Sequence, residues 1–197
     1  GGVEFGNNNQ DLWFAQGLSD DGWTFHHYRS QDGGVTTPDN TTGLPQNTTW
    51  YPAIRRDGNG RMYTYETNRV YYREDLDNSW ETAIPEGFGA NILELTVSPV
   101  SGNRVLFVCL STTSPNQVYV WSDGVWFSRK AGLPSNAMVR KVVPHPTNDD
   151  KAYALMNGLG TPGQKLYMTP DLGVNWINIT GDLPNMPMAD LVVHPDT

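Results

Sequence analysis

The octet TPDLGVNW, residues 169–176, decides how this chain folds. It places Thr169, Asp171, Gly173 and Trp176 in a fixed order directly after the β-prone run LYM. Three related segments precede it: SQDGGVTT at 30–37, REDLDNSW at 73–80 and the shortened SDGVW at 122–126. The last residues of the four segments are 43, 46 and 50 residues apart, which indicates a tandem repeat.

Other markers recur around each segment in the same order. A β-prone run comes before it, and an apolar residue followed by proline comes after it. Short apolar runs also end in turns at Pro99, Pro146 and Pro195, which are 47 and 49 residues apart. Apolar residues alternate in these runs, which excludes helical repeats of similar length. A period of about 40 to 50 residues with four strands per unit predicts the blades of an all-β propeller.

Each predicted blade is a four-stranded antiparallel sheet, whose strands we label A to D from the inside of the propeller outward. The predicted blades span about 1–49, 50–87, 88–134 and 135–187, with a last A strand at 188–194. In the third blade, strands A to D are predicted at 92–98, 104–110, 117–121 and 125–129.

The first blade opens with a B strand at 11–16 and shows no clear A strand. Two arrangements therefore stay open for the single domain of about four blades. Either the last A strand closes onto the first blade in a four-bladed ring, or the chain is part of a larger propeller whose other blades act as partners.

Composition excludes several classes of function. The chain has 197 residues, a net charge of −8 and a pI of about 4.8, and it shows no long basic cluster, so a nucleic-acid partner is not expected. No apolar run reaches the roughly 18 residues of a membrane span. Cys109 is the single cysteine and the four histidines lack ligand spacing, so the sequence predicts neither a disulfide nor a metal or other cofactor.

The repeated segment resembles the Asp-box, or BNR repeat, of sialidase-like propellers, whose pattern is Ser/Thr-x-Asp-x-Gly-x-x-Trp. The segment at 169–176 matches the pattern in full. The matching positions of the other copies are Ser30, Asp32 and Gly34, then Asp75 and Trp80, then Ser122, Asp123, Gly124 and Trp126. Thr37 replaces the aromatic residue of the first copy, and Arg73 and Asp77 replace the Ser and the Gly of the second.

The residue types of the segment suit a C–D hairpin. Glycine supplies the positive φ of a tight turn, and the aspartate accepts backbone N–H bonds from its own loop. The tryptophan is expected to pack between neighbouring sheets. The aspartate is therefore interpreted as structural, and the binding surface is expected on the opposite face, among the D–A and B–C loops.

The histidines give no catalytic pair. His145 and His194 hold equivalent A–B turn positions where the earlier copy has Ser98, so we interpret them as turn residues. His26 and His27 are neighbours on a C strand and point to opposite faces of the sheet.

The D–A loops and the first residues of the A strands are expected to form a ligand-binding rim. Counting back from the turn prolines makes Glu94, Lys141 and Asp190 equivalent. Aromatic side chains beside mixed charges suit a sugar or a peptide. The candidate ligand contacts are Trp50, Tyr51, Glu94, Arg140, Lys141 and Asp190. Glu94 and Asp190 are also the candidate carboxylates of a glycosidase.

Two functions follow from the resemblance. The favoured one is a secreted or cell-surface module that binds a glycan or protein ligand without catalysis. The alternative is part of a propeller glycoside hydrolase of the xyloglucanase or sialidase type. A sialidase would carry an Arg-Ile-Pro motif, and the nearest segment, WYPAIRRDGNGRMY at 50–63, departs from it. An assembly factor of the photosystem type shares the fold, but no basic patch supports that function.

Overall fold

The computed structural model describes residues 3–5, 12–18, 25–45, 53–74, 79–84, 86–100, 102–112, 117–157 and 162–196. Every regular element in these ranges is a β-strand. The chain divides into two compact units, residues 1–92 and 93–197, and each unit contains two antiparallel sheets.

The first unit holds a three-stranded and a four-stranded sheet. The strands of the first sheet, in order, are β1 (Val3–Phe5), β2 (Leu12–Leu18) and β3 (Phe25–Ser30). The strands of the second sheet are β4 (Ile54–Arg56), β5 (Met62–Glu66), β6 (Arg69–Arg73) and β7 (Glu81–Thr82).

The second unit holds two four-stranded sheets. The third sheet consists of β8 (Ile92–Val97), β9 (Leu106–Leu110), β10 (Val118–Ser122) and β11 (Val125–Ser128). The fourth sheet consists of β12 (Val139–His145), β13 (Asn148–Met156), β14 (Leu166–Thr169) and β15 (Ile177–Asn178). The predicted strand bounds of the third blade agree with β8 to β11 within two residues.

Burial follows the position of a strand in its sheet. The inner strands β5 and β9 are buried at every residue, because other residues cover both of their faces. The outer strands β11 and β15 are largely exposed, and β10, which lies between β9 and β11, alternates buried and half-buried residues. A run of consecutive apolar residues such as LFVCL therefore marks a strand covered on both sides.

In the first unit, the core lies between the two sheets. Its buried residues are Trp13, Leu44, Ile54, Met62, Tyr71 and Trp80. The rings of Trp13 and Trp80 meet edge to face, with centroids 6.0 Å apart. Trp80 also donates from its backbone N to the carbonyl of Thr42 at 2.9 Å and from Nε1 to the carbonyl of Asn40 at 2.7 Å.

In the second unit, Trp176 makes the same two bonds. Its backbone N donates to the carbonyl of Ala131 at 2.8 Å, and its Nε1 donates to the carbonyl of Arg129 at 3.3 Å. The ring is buried in the core between the third and fourth sheets. We call this pair of bonds the tryptophan clamp, because one residue, through its backbone and its side chain, ties its own sheet to the chain that leaves the preceding sheet.

The closing residues Thr37, Trp80, Trp126 and Trp176 hold the same place in their sheets. In each case the residue three positions later donates its backbone N–H to a C strand. These bonds are Asn40 to His27, Ala83 to Val70, Arg129 to Val118 and Ile179 to Leu166. The repeat spacing read from the sequence is therefore the spacing of the sheets.

The first sheet has an A strand that sequence reasoning missed. β1 pairs with β2 through Val3 and Phe14, so the prediction that this sheet opens with its B strand is wrong. β1 is only three residues long and lies in the Gly- and Asn-rich start of the chain, which hides its periodicity. The D strand is reduced to one bridge between Tyr28 and Asp39.

Residues 188–194, which were predicted to form the last A strand, adopt no strand conformation. At the start of β12, the side chain of Gln117 accepts the N–H of Val139 and donates to the carbonyl of Pro134. Before β14, Lys165 holds the place that Gln117 holds before β10. Its ammonium group cannot accept an N–H, so it cannot make the bond by which Gln117 fixes the start of the next A strand. In the first sheet, β2 is flanked by β1 and β3, so residues 188–194 do not pair with β2.

Candidate functional site

The hairpin at 169–176 is held by its own polar side chains. The Thr169 hydroxyl donates to Asp171 Oδ1 at 2.8 Å and accepts the N–H of Gly173 at 2.8 Å. Asn175 donates its backbone N–H to Asp171 Oδ1 at 2.9 Å and its side-chain amide to Oδ2 at 2.8 Å. These bonds fix the left-handed pair of residues at the turn, where Leu172 has a φ of 56° and Gly173 a φ of 79°.

The hairpin at 30–37 repeats this network. The Ser30 hydroxyl donates to Asp32 Oδ1 at 2.8 Å and accepts the N–H of Gly34 at 2.7 Å. Thr36 donates its backbone N–H and its hydroxyl to the carboxylate of Asp32. The bonds from Thr36 and then Ser30 lower the pKa of Asp32 to about 2. Both aspartates therefore act as acceptors for their own loops.

The two other copies depart from this pattern in different ways. Asp123 and Gly124 form a two-residue turn with φ values of 52° and 83°, the geometry of a type I′ hairpin. In the second copy, the guanidinium of Arg73 lies 5.4 Å from the ring of Trp13, so a cation–π contact replaces the hydroxyl of the pattern. Asp75 lies outside the described residues.

Replacing Asp171 with alanine should lower the free energy of unfolding by about 1 kcal/mol, the usual cost of losing a side-chain cap on backbone N–H groups. The pKa of Asp171 is lowered, because the bonds from Asn175 and Thr169 outweigh the effect of burial. Urea unfolding followed by far-UV circular dichroism gives the measurement. Asp182→Ala at an exposed position is the control and should change stability by a few tenths of that value.

The turn histidines accept bonds from the backbone two residues ahead. His145 Nδ1 accepts the N–H of Thr147 at 3.2 Å, and His194 Nδ1 accepts that of Asp196 at 3.2 Å. At the equivalent position, the hydroxyl of Ser98 accepts an N–H in the same way. All three side chains are thus turn-forming acceptors.

His27 is fully buried between the two sheets of the first unit. The Thr64 hydroxyl donates to the carbonyl of Ala53 at 2.8 Å, so His27 Nε2 must be the donor in its 2.9 Å bond to Thr64 Oγ1. Nδ1 is therefore unprotonated, and it has no hydrogen-bond partner among the residues that the structure describes. Burial lowers the pKa of His27 to about 4; the Asp39 carboxylate raises it and His26 lowers it by smaller amounts.

The stability of the first unit should consequently fall as the pH drops from 6.5 to 4. The unfolded chain binds a proton at an ordinary histidine pKa of 6.5 while the folded chain does not, and the full loss below pH 4 is about 3 kcal/mol. Urea unfolding at several pH values, for the wild type and for His27→Gln, isolates this contribution. The pH slope should shrink in His27→Gln and persist in His26→Gln, and equal slopes in all three proteins would contradict the assignment.

The rim of the first unit is a rigid B–C hairpin. Thr67 and Asn68 form the turn between β5 and β6, and Thr67 has a φ of 55°, which is rare for a β-branched residue. The Thr67 carbonyl accepts the N–H of Ile92 at 2.7 Å. Asn68 exchanges bonds with Phe88 through its carbonyl and its side-chain amide, at 2.7 and 2.8 Å. The D–A segment thus fixes the tip of the hairpin.

An open recess of about 240 Å³ lies beside this tip, and its lining residues are Pro45, Glu66, Thr67, Asn68, Arg69 and Tyr71. Of these residues, Glu66 and Tyr71 are buried and Arg69 is exposed. Sequence reasoning missed the recess, although the dipeptide between MYTYE and RVYYR marks a two-residue hairpin. The predicted contacts Trp50 and Tyr51 lie outside the described residues.

The rim of the second unit contains the other predicted ligand contacts. Lys141 on β12 forms an ion pair with Asp190, with 2.6 Å between Nζ and Oδ1. Arg140 is exposed next to Lys141, and its positive charge also lowers the pKa of Asp190. Glu94 lies on β8, where its charge adds to the effect of burial in raising the pKa of the Cys109 thiol. The structure therefore brings Arg140, Lys141 and Asp190 together.

The environment of Asp190 is unsuited to a general acid. A glycosidase acid needs a raised pKa in order to hold its proton at neutral pH. The bond from Lys141, followed by that from the Leu191 N–H, lowers the pKa of Asp190. Asp190 is ionised, and its carboxylate is engaged by a lysine of its own chain.

Within the described residues, no group of three or more His, Cys, Asp or Glu side chains is placed to hold a metal ion. No helix in this part of the chain could cross a membrane.

The fold is similar to parts of known propellers. The GH74 enzyme of Niastella koreensis superposes with a TM-score of 0.62 at 20% identity, over 94% of this chain and 31% of that one. A structure described as YCF48 bound to D1 peptide gives a TM-score of 0.57 at 11% identity, over 90% and 53%. The GH74 xyloglucanase of Xanthomonas campestris gives 0.50 at 18% identity, over 82% and 24%.

No family model and no curated protein matches the sequence. The chain spans about half or less of the length of these solved structures, and at such identities the likeness shows the fold alone. Together with the four antiparallel sheets, it confirms the predicted fold class: the chain is built of the blades of an all-β propeller.

Proposed function

We propose that this chain is an Asp-box propeller module, secreted or displayed at the cell surface, that binds a glycan or protein ligand without turnover. The observation that carries the proposal is the rim of the first unit. Main-chain bonds from Phe88 and Ile92 hold the Thr67–Asn68 turn rigid beside an open recess with Glu66, Arg69 and Tyr71 side chains. A preorganised recess with a few polar groups is typical of a binding site.

The acidic hairpins support the Asp-box assignment, because two of them form the same network of bonds from Ser or Thr, Asp and Gly. Among the similar structures, YCF48 is described with a bound D1 peptide, which is a precedent for a peptide ligand on this fold. The GH74 structures are described as enzymes, so hydrolysis is the competing function.

A panel of polysaccharides and peptides, tested with the full chain, distinguishes the two functions. We expect binding without release of reducing ends. Arg69→Ala should weaken that binding, whereas Lys130→Ala, which removes an exposed cation from the second unit, should leave it unchanged. Release of reducing ends that is lost in Glu94→Gln or Asp190→Asn would replace the proposal with a hydrolase.

A further inference from the structure

The segment at 185–196 follows the fourth sheet without forming a strand. Local bonds fold it on itself: Met186 N–H donates to the carbonyl of Pro184, and Leu191 N–H donates to Asp190 Oδ1. Apolar side chains along it remain exposed, with Val192 at 88% and Met186 at 53%. Such a segment has little packing to hold it in place.

The ion pair between Asp190 and Lys141 joins this segment to β12. The side chain of Asp190 is 65% exposed, and that of Lys141 is 26% exposed. Exposed ion pairs contribute little to stability, because water screens them and two side chains lose conformational freedom. A carboxylate from another molecule can therefore compete with Asp190 for Lys141.

Arg140 makes this place suitable for an external carboxylate. It is exposed and adjacent to Lys141 on β12, and the positive charges of both residues lower the pKa of Asp190. The chain has a net charge of −8, and Arg140 and Lys141 form one of its three adjacent pairs of Lys or Arg residues. The net negative charge disfavours the docking of an acidic ligand over most of the surface, whereas the two cations beside Asp190 attract a carboxylate.

We infer that Arg140 and Lys141 form a carboxylate-binding site for an acidic peptide of a partner protein, and that Asp190 occupies this site as an internal competitor. The inference rests on the proposed binding function and names a ligand class for the rim of the second unit. We infer the chemistry of the ligand from Asp190 itself, whose carboxylate lies on an irregular segment with exposed apolar neighbours. A partner peptide must offer the same carboxylate with a similar apolar flank.

The test uses a fluorescein-labelled peptide with the sequence of residues 186–194, MPMADLVVH, added to the full chain. Asp190→Asn should bind it about two- to fivefold more tightly than the wild type, because the variant lacks the competing carboxylate. Lys141→Met in the Asp190→Asn background should abolish the gain. Lys130→Met in the same background removes an exposed cation of the same unit and should leave the gain intact. Fluorescence anisotropy gives each affinity.

A peptide with asparagine in place of its aspartate should bind all variants equally weakly. Hydrogen exchange of residues 185–196 should increase in both Asp190→Asn and Lys141→Met without any ligand. Equal peptide affinity of the wild type and Asp190→Asn would overturn the inference, as would a gain that survives Lys141→Met. Binding of polygalacturonate at Lys141 in preference to the peptide would overturn the peptide part.

The inference and the proposed function fail in different ways. If the recess of the first unit binds a panel ligand and Asp190→Asn changes nothing, the inference alone is lost. If the panel shows turnover while Asp190→Asn still gains peptide affinity, the non-catalytic function is lost and the competitor remains.

Discussion

Replacing Trp176 with alanine should lower the free energy of unfolding of the second unit by about 3–5 kcal/mol, the usual cost of deleting a large buried aromatic side chain. Trp176 is 4% exposed and belongs to the core shared by the third and fourth sheets. The substitution also removes the Nε1 donor from the carbonyl of Arg129. The expected result is a chain whose second unit unfolds at much lower urea concentration.

Far-UV circular dichroism is the suitable probe for this experiment, because it does not depend on the deleted fluorophore. Trp126→Ala is the matched control: it removes the same side chain from the equivalent place in the third sheet. Trp126 is only half-buried and is absent from the buried core, so about 1 kcal/mol is expected. Equal losses of unfolding free energy in the two variants would show that the tryptophan clamp does not add to the stability of the second unit.

Much of this fold could be predicted because the repeated signals are local. A hairpin such as 169–176 is specified by side chains that bond to backbone within four residues, as Asp171 does with Asn175. Such bonds form where the full pattern occurs, and the backbone bonds three residues after Thr37, Trp80, Trp126 and Trp176 recur in all four sheets.

The strands that sequence reasoning missed or misplaced depend on distant partners. β1 is formed by three residues whose pairing depends on β2, and residues 188–194 resemble β12 in sequence but form no strand. The sequence pattern of one segment does not show whether a partner strand is present to complete the hydrogen-bonded ladder. The same limit applies at the clamp: the sequence indicates that Trp176 is buried, but not that it reaches the carbonyls of Arg129 and Ala131.

The candidate sites were predicted in part. Equivalence among repeats singled out Lys141 and Asp190, which the structure joins in one ion pair. That contact was not predicted, because equivalent positions were expected on separate blades, whereas residue 190 lies on an irregular segment. The recess beside Thr67 and Asn68 depends on the approach of Phe88 and Ile92, and nothing in the hairpin sequence indicates that approach.

Glycine is required at the two positions where the chain leaving one sheet passes the tryptophan of the next sheet. A Cβ built on Gly132 would lie 2.0 Å from the carbonyl oxygen of Trp176, and one on Gly43 would lie 2.3 Å from that of Trp80. These two glycines have φ values of 91° and 92°, so the close approach and the backbone conformation both exclude a side chain. The equivalent residue after the fourth sheet is Asp182, whose turn instead has its positive φ at Gly181.

Gly132→Ala should therefore lower the free energy of unfolding of the second unit by about 2–6 kcal/mol. A positive φ costs a side-chain-bearing residue about 1–3 kcal/mol, and the displacement of a packed backbone carbonyl adds about 1–3 kcal/mol. Gly124→Ala separates the two effects, because Gly124 has a φ of 83° and no atom within 4 Å of its added Cβ. Gly124→Ala should show the conformational cost alone, and urea unfolding of both variants measures the difference. Equal midpoints would mean that the clamp yields to a methyl group at no cost, and the close contact with Trp176 would then have no role in holding the two sheets together.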